Sequence, residues 1–144
     1  MAFNSGAFVA QISKMENNPP SNRFQFASDW ANCFMAGYGV PTPPSISANG
    51  AKALLQGMFI LAYQDEDNGQ DLMNKGVSLF AATLAVGMLP LWAAKPPLNY
   101  AGFSQVTNMD NLGTFGPALA AVTTPWFMSG TATQTVSGAT TTWL

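Results

Sequence analysis

Histidine is absent from the 144-residue chain, and cysteine occurs once, at Cys33. Without an imidazole, the chain cannot build a Ser-His-Asp triad or a His-ligated zinc site. A single cysteine excludes an intrachain disulfide, and its nearest cation in sequence, Arg23, is ten residues away. We therefore interpret Cys33 as a small core residue, and we predict neither a catalytic residue nor a cofactor.

Charge is also scarce. Charged residues make up 8% of the chain, whereas a soluble domain ordinarily carries about 25%. Five Lys and Arg against seven Asp and Glu give a net charge of −2, which offers no positive field for nucleic acid. Gly-rich phosphate-binding motifs are missing too. We predict no small-molecule substrate. The hydrophobic content of 48% excludes a disordered tail.

The charges that are present lie mostly in the first half. Ten of the 12 precede Gly76, and the last 69 residues hold only Lys95 and Asp110. Such a segment has little charge for a solvent-facing surface, and like the core of a protein interface it is rich in aromatic residues. We therefore predict that another molecule covers much of it: a copy of the chain, a different protein or lipid. The candidate interface residues are Phe115, Trp126, Phe127, Val136 and Trp143.

The apolar periodicity predicts a mainly α fold. Apolar residues at helical spacing favour three main helices, over residues 22–37, 45–64 and 70–94. Pro90 cannot donate a backbone hydrogen bond, so a kink or an ending is expected there. The prediction is a small helical bundle, followed by an extended, charge-poor C-terminal segment with candidate β-strands.

Beyond residue 97 the helical pattern loosens. A short helix is predicted over residues 111–122, and alternating threonines predict strands within residues 131–143, with a tight turn at Ser137 and Gly138. The expected organisation has three parts, which are an N-terminal arm (1–20), a helical domain (21–97) and an extended, interface-forming segment (98–144). On this interpretation, deleting residues 131–144 leaves the helical domain folded and prevents assembly.

An acidic connection precedes the third predicted helix. Asp65, Asp67 and Asp71 place carboxylates at alternate positions, which could present oxygen atoms to calcium. An EF-hand loop would need glycine where Gln70 stands and a bidentate glutamate where Gly76 stands. The favoured interpretation is a solvated connection whose acids cap the next helix, and the three aspartates remain the candidate metal ligands.

The uncharged stretch over residues 76–94 has an alternative interpretation. Its 19 residues are nominally long enough to span a bilayer, which would make the chain a small, holin-like membrane protein. A buried core helix is favoured, because the two preceding helices carry apolar stripes that need something to pack on. No basic residue precedes the first apolar run, so we expect no signal peptide and synthesis in the cytoplasm.

The layout resembles that of small structural proteins of tailed bacteriophages over residues 25–144. The shared features are a Trp-x-x-x-Phe helix from Trp30 to Phe34, a Pro-rich turn at 41–44, an Ala-rich helical hairpin over 51–94 and a Gly- and Thr-rich extended tail. The resemblance implies a multi-copy virion component of a tail, neck or baseplate. It also implies partners that are copies of the chain or other virion proteins. A soluble binding module, with a pocket lined by methionine and aromatic residues, is a third interpretation.

Overall fold

The structure is a computed structural model that describes residues 3–39, 44–106 and 112–143. Within these residues the chain forms six helices and a three-stranded sheet, which confirms the mainly α class with C-terminal strands. The helices are α1 (Ser5–Asn17), α2 (Arg23–Tyr38), α3 (Ala48–Tyr63), α4 (Gly69–Val86), α5 (Gly102–Gln105) and α6 (Leu112–Met128). The strands are β1 (Trp92–Lys95), β2 (Thr131–Gln134) and β3 (Thr140–Thr142). The Pro-rich turn expected at 41–44 falls outside the described residues except for Pro44.

Asparagine side chains begin the first two helices. The Asn4 carboxamide oxygen accepts a hydrogen bond from the Ala7 N–H at 3.0 Å, and that of Asn22 accepts one from the Gln25 N–H at 2.9 Å. Each bond satisfies a backbone donor that has no partner within its helix. The predicted helix over 22–37 is thereby confirmed as α2.

Helices α3 and α4 form the predicted hairpin. They approach closely at Gly76, where an added Cβ would lie 3.0 Å from the Met58 Cβ and 3.2 Å from the Phe59 ring. The helix predicted over 45–64 is confirmed as α3. Ser47 occupies its N-cap position without a side-chain hydrogen bond to the helix.

The third predicted helix is shorter than expected. It ends at Val86 rather than near residue 94, and residues 92–95 form β1 instead. A further helical turn would need the amide of residue 90 to donate to the Val86 carbonyl, and proline has no N–H. The uncharged stretch over 76–94 is therefore divided between the end of α4, a turn and a strand.

The sheet has the strand order β1-β2-β3, and both pairings are antiparallel. Ala93 pairs with Thr133, and Thr133 pairs in turn with Thr140. The β2–β3 connection passes through Gly138, whose φ of 73° lies in the left-handed region that glycine adopts without strain. The predicted strands and turn are thus confirmed, with a partner strand that the sequence pattern did not show.

Helix α6 continues past the predicted end at residue 122 to Met128. Its buried residues Phe115, Leu119, Thr123 and Phe127 recur every four positions and so lie along one face. Pro117 and Pro125 both lie inside the helix, which continues past each of them. The predicted start, residue 111, lies outside the described residues.

A single aromatic core joins these elements. The Phe34 ring centroid lies 5.1 Å from Phe8 of α1, 6.5 Å from Phe59 of α3 and 6.4 Å from Phe80 of α4. Phe103 of α5 is 6.3 Å from Phe34. Residues from all three predicted parts, the arm included, belong to this one core.

Candidate interaction surfaces

Three of the predicted interface residues lie inside the chain's own core. Phe115, Phe127 and Trp143 are no more than 4% exposed. Phe127 packs against Trp143 with ring centroids 5.3 Å apart, and the Trp143 indole N–H donates to the Thr131 carbonyl at 3.1 Å. They are therefore already covered by the chain itself. Much of the charge depletion after Gly76 reflects burial within one chain.

The other two predicted interface residues are accessible. Trp126 is partly buried, with its indole N–H donating to the Leu98 carbonyl at 3.0 Å and its ring 4.8 Å from that of Tyr100. Val136 is 89% exposed in the turn between β2 and β3. Of the five predicted residues, Val136 is the one whose side chain points almost wholly into solvent.

Val136 belongs to a group of exposed aliphatic side chains that we call the apolar end. Its members come from three separate segments and are each more than half exposed. They are Ile46 (89%), Val86 (68%), Leu89 (52%), Leu91 (60%) and Val136 (89%). Monomeric proteins rarely expose several large aliphatic side chains together unless the patch binds something.

Backbone hydrogen bonds hold the three segments of the apolar end side by side. The Ile46 N–H donates to the Gly87 carbonyl at 2.9 Å, next to Val86. The Thr135 N–H donates to the Leu91 carbonyl at 3.0 Å, and its hydroxyl donates to the Pro90 carbonyl at 2.9 Å. The surface is therefore preformed by the fold.

Gly87 is needed for this arrangement. A Cβ at that position would overlap Ser45 Oγ and the Ser47 backbone. The start of α3 can thus lie directly on the end of α4, which brings Ile46 beside Val86.

The apolar end is also uncharged. The segments 44–51, 76–94 and 112–143 contain no Asp, Glu, Lys or Arg. The five aliphatic side chains offer no charged partner to a phosphate, a carboxylate or a cation, and the charges that follow these segments along the chain are Lys52 and the exposed Lys95. The surface therefore suits another apolar surface.

A groove of about 400 Å³ adjoins the apolar end, between the last turns of α4 and strand β1. Every residue that lines it is apolar, namely Ala82, Ala85, Val86, Leu89, Ala93, Ala94 and Pro96. Among the described strands, β1 is an outer strand of the sheet and pairs with β2. The groove and the apolar end share Val86 and Leu89, so they form one continuous region.

The outer face of α3 is a second uncharged surface. Leu54 and Leu61 are 46% and 56% exposed, and between them lies Gly57, where an added Cβ would meet nothing within 4 Å. A glycine inside a helix destabilises it relative to alanine. No contact within the described chain accounts for Gly57.

One carboxylate of the acidic connection is hydrogen-bonded to backbone N–H groups of the connection itself. The Asp65 carboxylate accepts hydrogen bonds from the N–H groups of Asn68 at 2.9 Å and Asp67 at 3.1 Å, and these bonds lower its pKa. The bonds stabilise the turn before α4 and do not cap its first turn. Among the described residues no group of three His, Cys, Asp or Glu side chains is placed to hold a metal ion.

A cleft of about 550 Å³ lies beside α4 and α5, and Met58 and Tyr100 are part of its lining. Its buried amide, Asn74, accepts from the Phe103 N–H at 3.0 Å and donates to the Ser104 hydroxyl at 2.8 Å. Ser78 accepts from the Tyr100 N–H at 3.0 Å. These hydrogen bonds hold the chain after β1 against α4, so the polar groups of the cleft are bonded to other residues of the protein.

No protein family, curated protein or solved structure matches this chain. In the part of the chain that the structure describes, none of the helices has the length and hydropathy needed to cross a membrane.

Proposed function

We propose that the protein is a structural assembly protein that acts through contacts between protein surfaces. The observation that carries the proposal is the apolar end, with large aliphatic side chains that are exposed, uncharged and held in place by backbone hydrogen bonds. Burying apolar surface contributes about 25 cal/mol per Å². This surface therefore favours association without any charged pair, and the role needs no catalytic residue.

The particular assembly that we propose is the particle of a tailed bacteriophage, in its tail, neck or baseplate. The layout supports this proposal through the Trp30 helix, the α3–α4 hairpin and the Thr-rich C-terminal strands. A virion component is present in several copies, so we expect the purified protein to self-associate. The preformed apolar end supports the same expectation.

The test is the mass of the purified protein in detergent-free buffer, measured by light scattering over a concentration series. We expect a mass above the 15.2 kDa of one chain. Leu91→Lys places a charge in the apolar end and should restore the mass of one chain. Leu98→Lys is the matched control, because Leu98 is 74% exposed and is not part of the apolar end.

Two results would count against self-assembly through this surface. One is a wild-type protein with the mass of a single chain at every concentration. The other is a Leu91→Lys variant that associates as strongly as the wild type.

A further inference from the structure

The proposed function leaves open which surface covers the apolar end, and the structure offers a specific occupant. We propose that it is the same end of a second copy of this chain, with Val136 of each copy inserted into the groove of the other. This inference rests on the proposed function and adds to it the identity of the partner and the geometry of the contact.

The first argument is the position of the two complementary features. Val136 projects from the hairpin turn with 89% of its surface exposed. The neighbouring Thr135 is hydrogen-bonded to Pro90 and Leu91, which lie between Leu89 and Ala93 of the groove. Projection and groove therefore lie side by side on one end. A two-fold axis through that end would form both contacts at once.

The second argument is the absence of charge. At a two-fold interface each residue near the axis meets its own copy, so a charged residue there would face a like charge. The three segments of the apolar end contain no charged residue. The five aliphatic side chains therefore bring no like charges together, and the exposed Lys95 is the charged residue that follows Ala94 of the groove along β1. Homodimer interfaces are the more apolar class of interface.

The third argument is area. The five residues of the apolar end are each more than half exposed, and five such residues expose roughly 600 Å², which is at the top of the ~300–600 Å² range for the largest apolar patch of a monomer and below the ~800 Å² per partner of a standard interface. The walls of the groove add apolar surface to this. The apolar end and the groove walls together therefore approach the area that each partner buries in a standard interface.

Disulfide trapping between two differently tagged variants tests the geometry. Chains carrying Val136→Cys are mixed with chains carrying Ala93→Cys under mild oxidation. Both sites are exposed, so each variant should fold, which circular dichroism checks. The native Cys33 is fully buried and does not compete.

We expect the mixture of Val136→Cys and Ala93→Cys to give about tenfold more mixed disulfide than Val136→Cys with Leu61→Cys, because contact raises the effective concentration of the two thiols. Leu61 is an apt control, since it is exposed near the far end of α3. A second measurement uses Ala93→Leu, which fills the groove and should weaken the dimer seen by light scattering.

The outcomes separate this inference from the proposed function. Association by light scattering without preferential trapping, or undiminished by Ala93→Leu, overturns the Val136–groove contact and leaves the assembly role standing. A wild-type protein that stays a single chain overturns both. Preferential trapping together with a weakened Ala93→Leu dimer supports the contact.

Discussion

Cys33 shows how burial determines the chemistry of one residue. Its side chain is inaccessible, and burial, with a smaller contribution from the Asp29 carboxylate, raises its pKa to about 12 from the ordinary 9.0. A reactive cysteine needs the opposite environment, with exposure and a nearby cation. The placement in the core was predictable from the helical spacing of Trp30, Cys33 and Phe34.

The shifted pKa makes stability depend on pH. Below pH 9 the thiol is neutral in both states, and between pH 9 and about 12 it ionises in the unfolded chain alone. The unfolded state then binds fewer protons, so the free energy of unfolding should fall with a slope approaching 1.4 kcal/mol per pH unit, about one proton's contribution.

Urea unfolding across this pH range measures the effect. Buried tyrosines such as Tyr100, whose pKa burial also raises, act in the same direction. The Cys33→Ala variant separates the thiol contribution from that of the tyrosines, because it lacks the thiol and retains the tyrosines. Its free energy of unfolding should therefore fall with pH less steeply, by about one proton's contribution to the slope. Equal slopes for both proteins would contradict the assignment.

At the scale of elements, the local sequence pattern was enough to predict some helices, whereas other segments take their structure from pairing with distant parts of the chain. Helices α2 and α3 have regular apolar spacing and were predictable within a few residues. Strand β1 was not, because Ala93 and Ala94 favour a helix locally, and their strand conformation depends on pairing with β2 some 40 residues away. Helix α6 was predicted only as far as residue 122, and the buried face that continues to Phe127 with one residue every four positions is visible in the structure.

Alanine substitutions at the two helix glycines, Gly57 and Gly76, should change the free energy of unfolding in opposite directions. Gly57→Ala should raise the free energy of unfolding by about 1 kcal/mol, because an alanine there meets open space. Gly76→Ala should lower it, since the new Cβ would crowd Met58 and Phe59 at the α3–α4 contact. Chemical denaturation of the two variants checks both signs. Two changes of the same sign would mean that helix propensity alone decides.

At the scale of the molecule, the C-terminal segment is part of the core. The backbone N–H of Trp143 donates to the Gly130 carbonyl at 2.8 Å, and an added Cβ at Gly130 would lie 2.7 Å from the Trp143 indole ring. Its interface role was inferred from its lack of charge, which does not distinguish a surface buried within a chain from one buried between chains. The expectation that residues 131–144 can be removed without unfolding the helices is therefore revised.

Trp143→Ala should lower the free energy of unfolding by about 3–5 kcal/mol, the usual range for a large aromatic side chain removed from a core. Deleting residues 131–144 should reduce the helical circular dichroism signal as well. Leu98→Ala is the control, because Leu98 is 74% exposed and lies outside the apolar end, so its truncation should change stability by less than about 0.5 kcal/mol. A truncated chain with full helicity and an unchanged unfolding midpoint would restore the original expectation.

The aromatic core has a consequence for the assembly that we propose. The Phe34 ring packs against rings from α1, α3, α4 and α5, so these four helices and α2 share one packed core. In the assembly that we propose, such a subunit would meet its partner as a rigid body, with its binding surface in final form. Little conformational entropy would then be lost on docking, and most of the energy of the proposed contact would be available to hold the copies together.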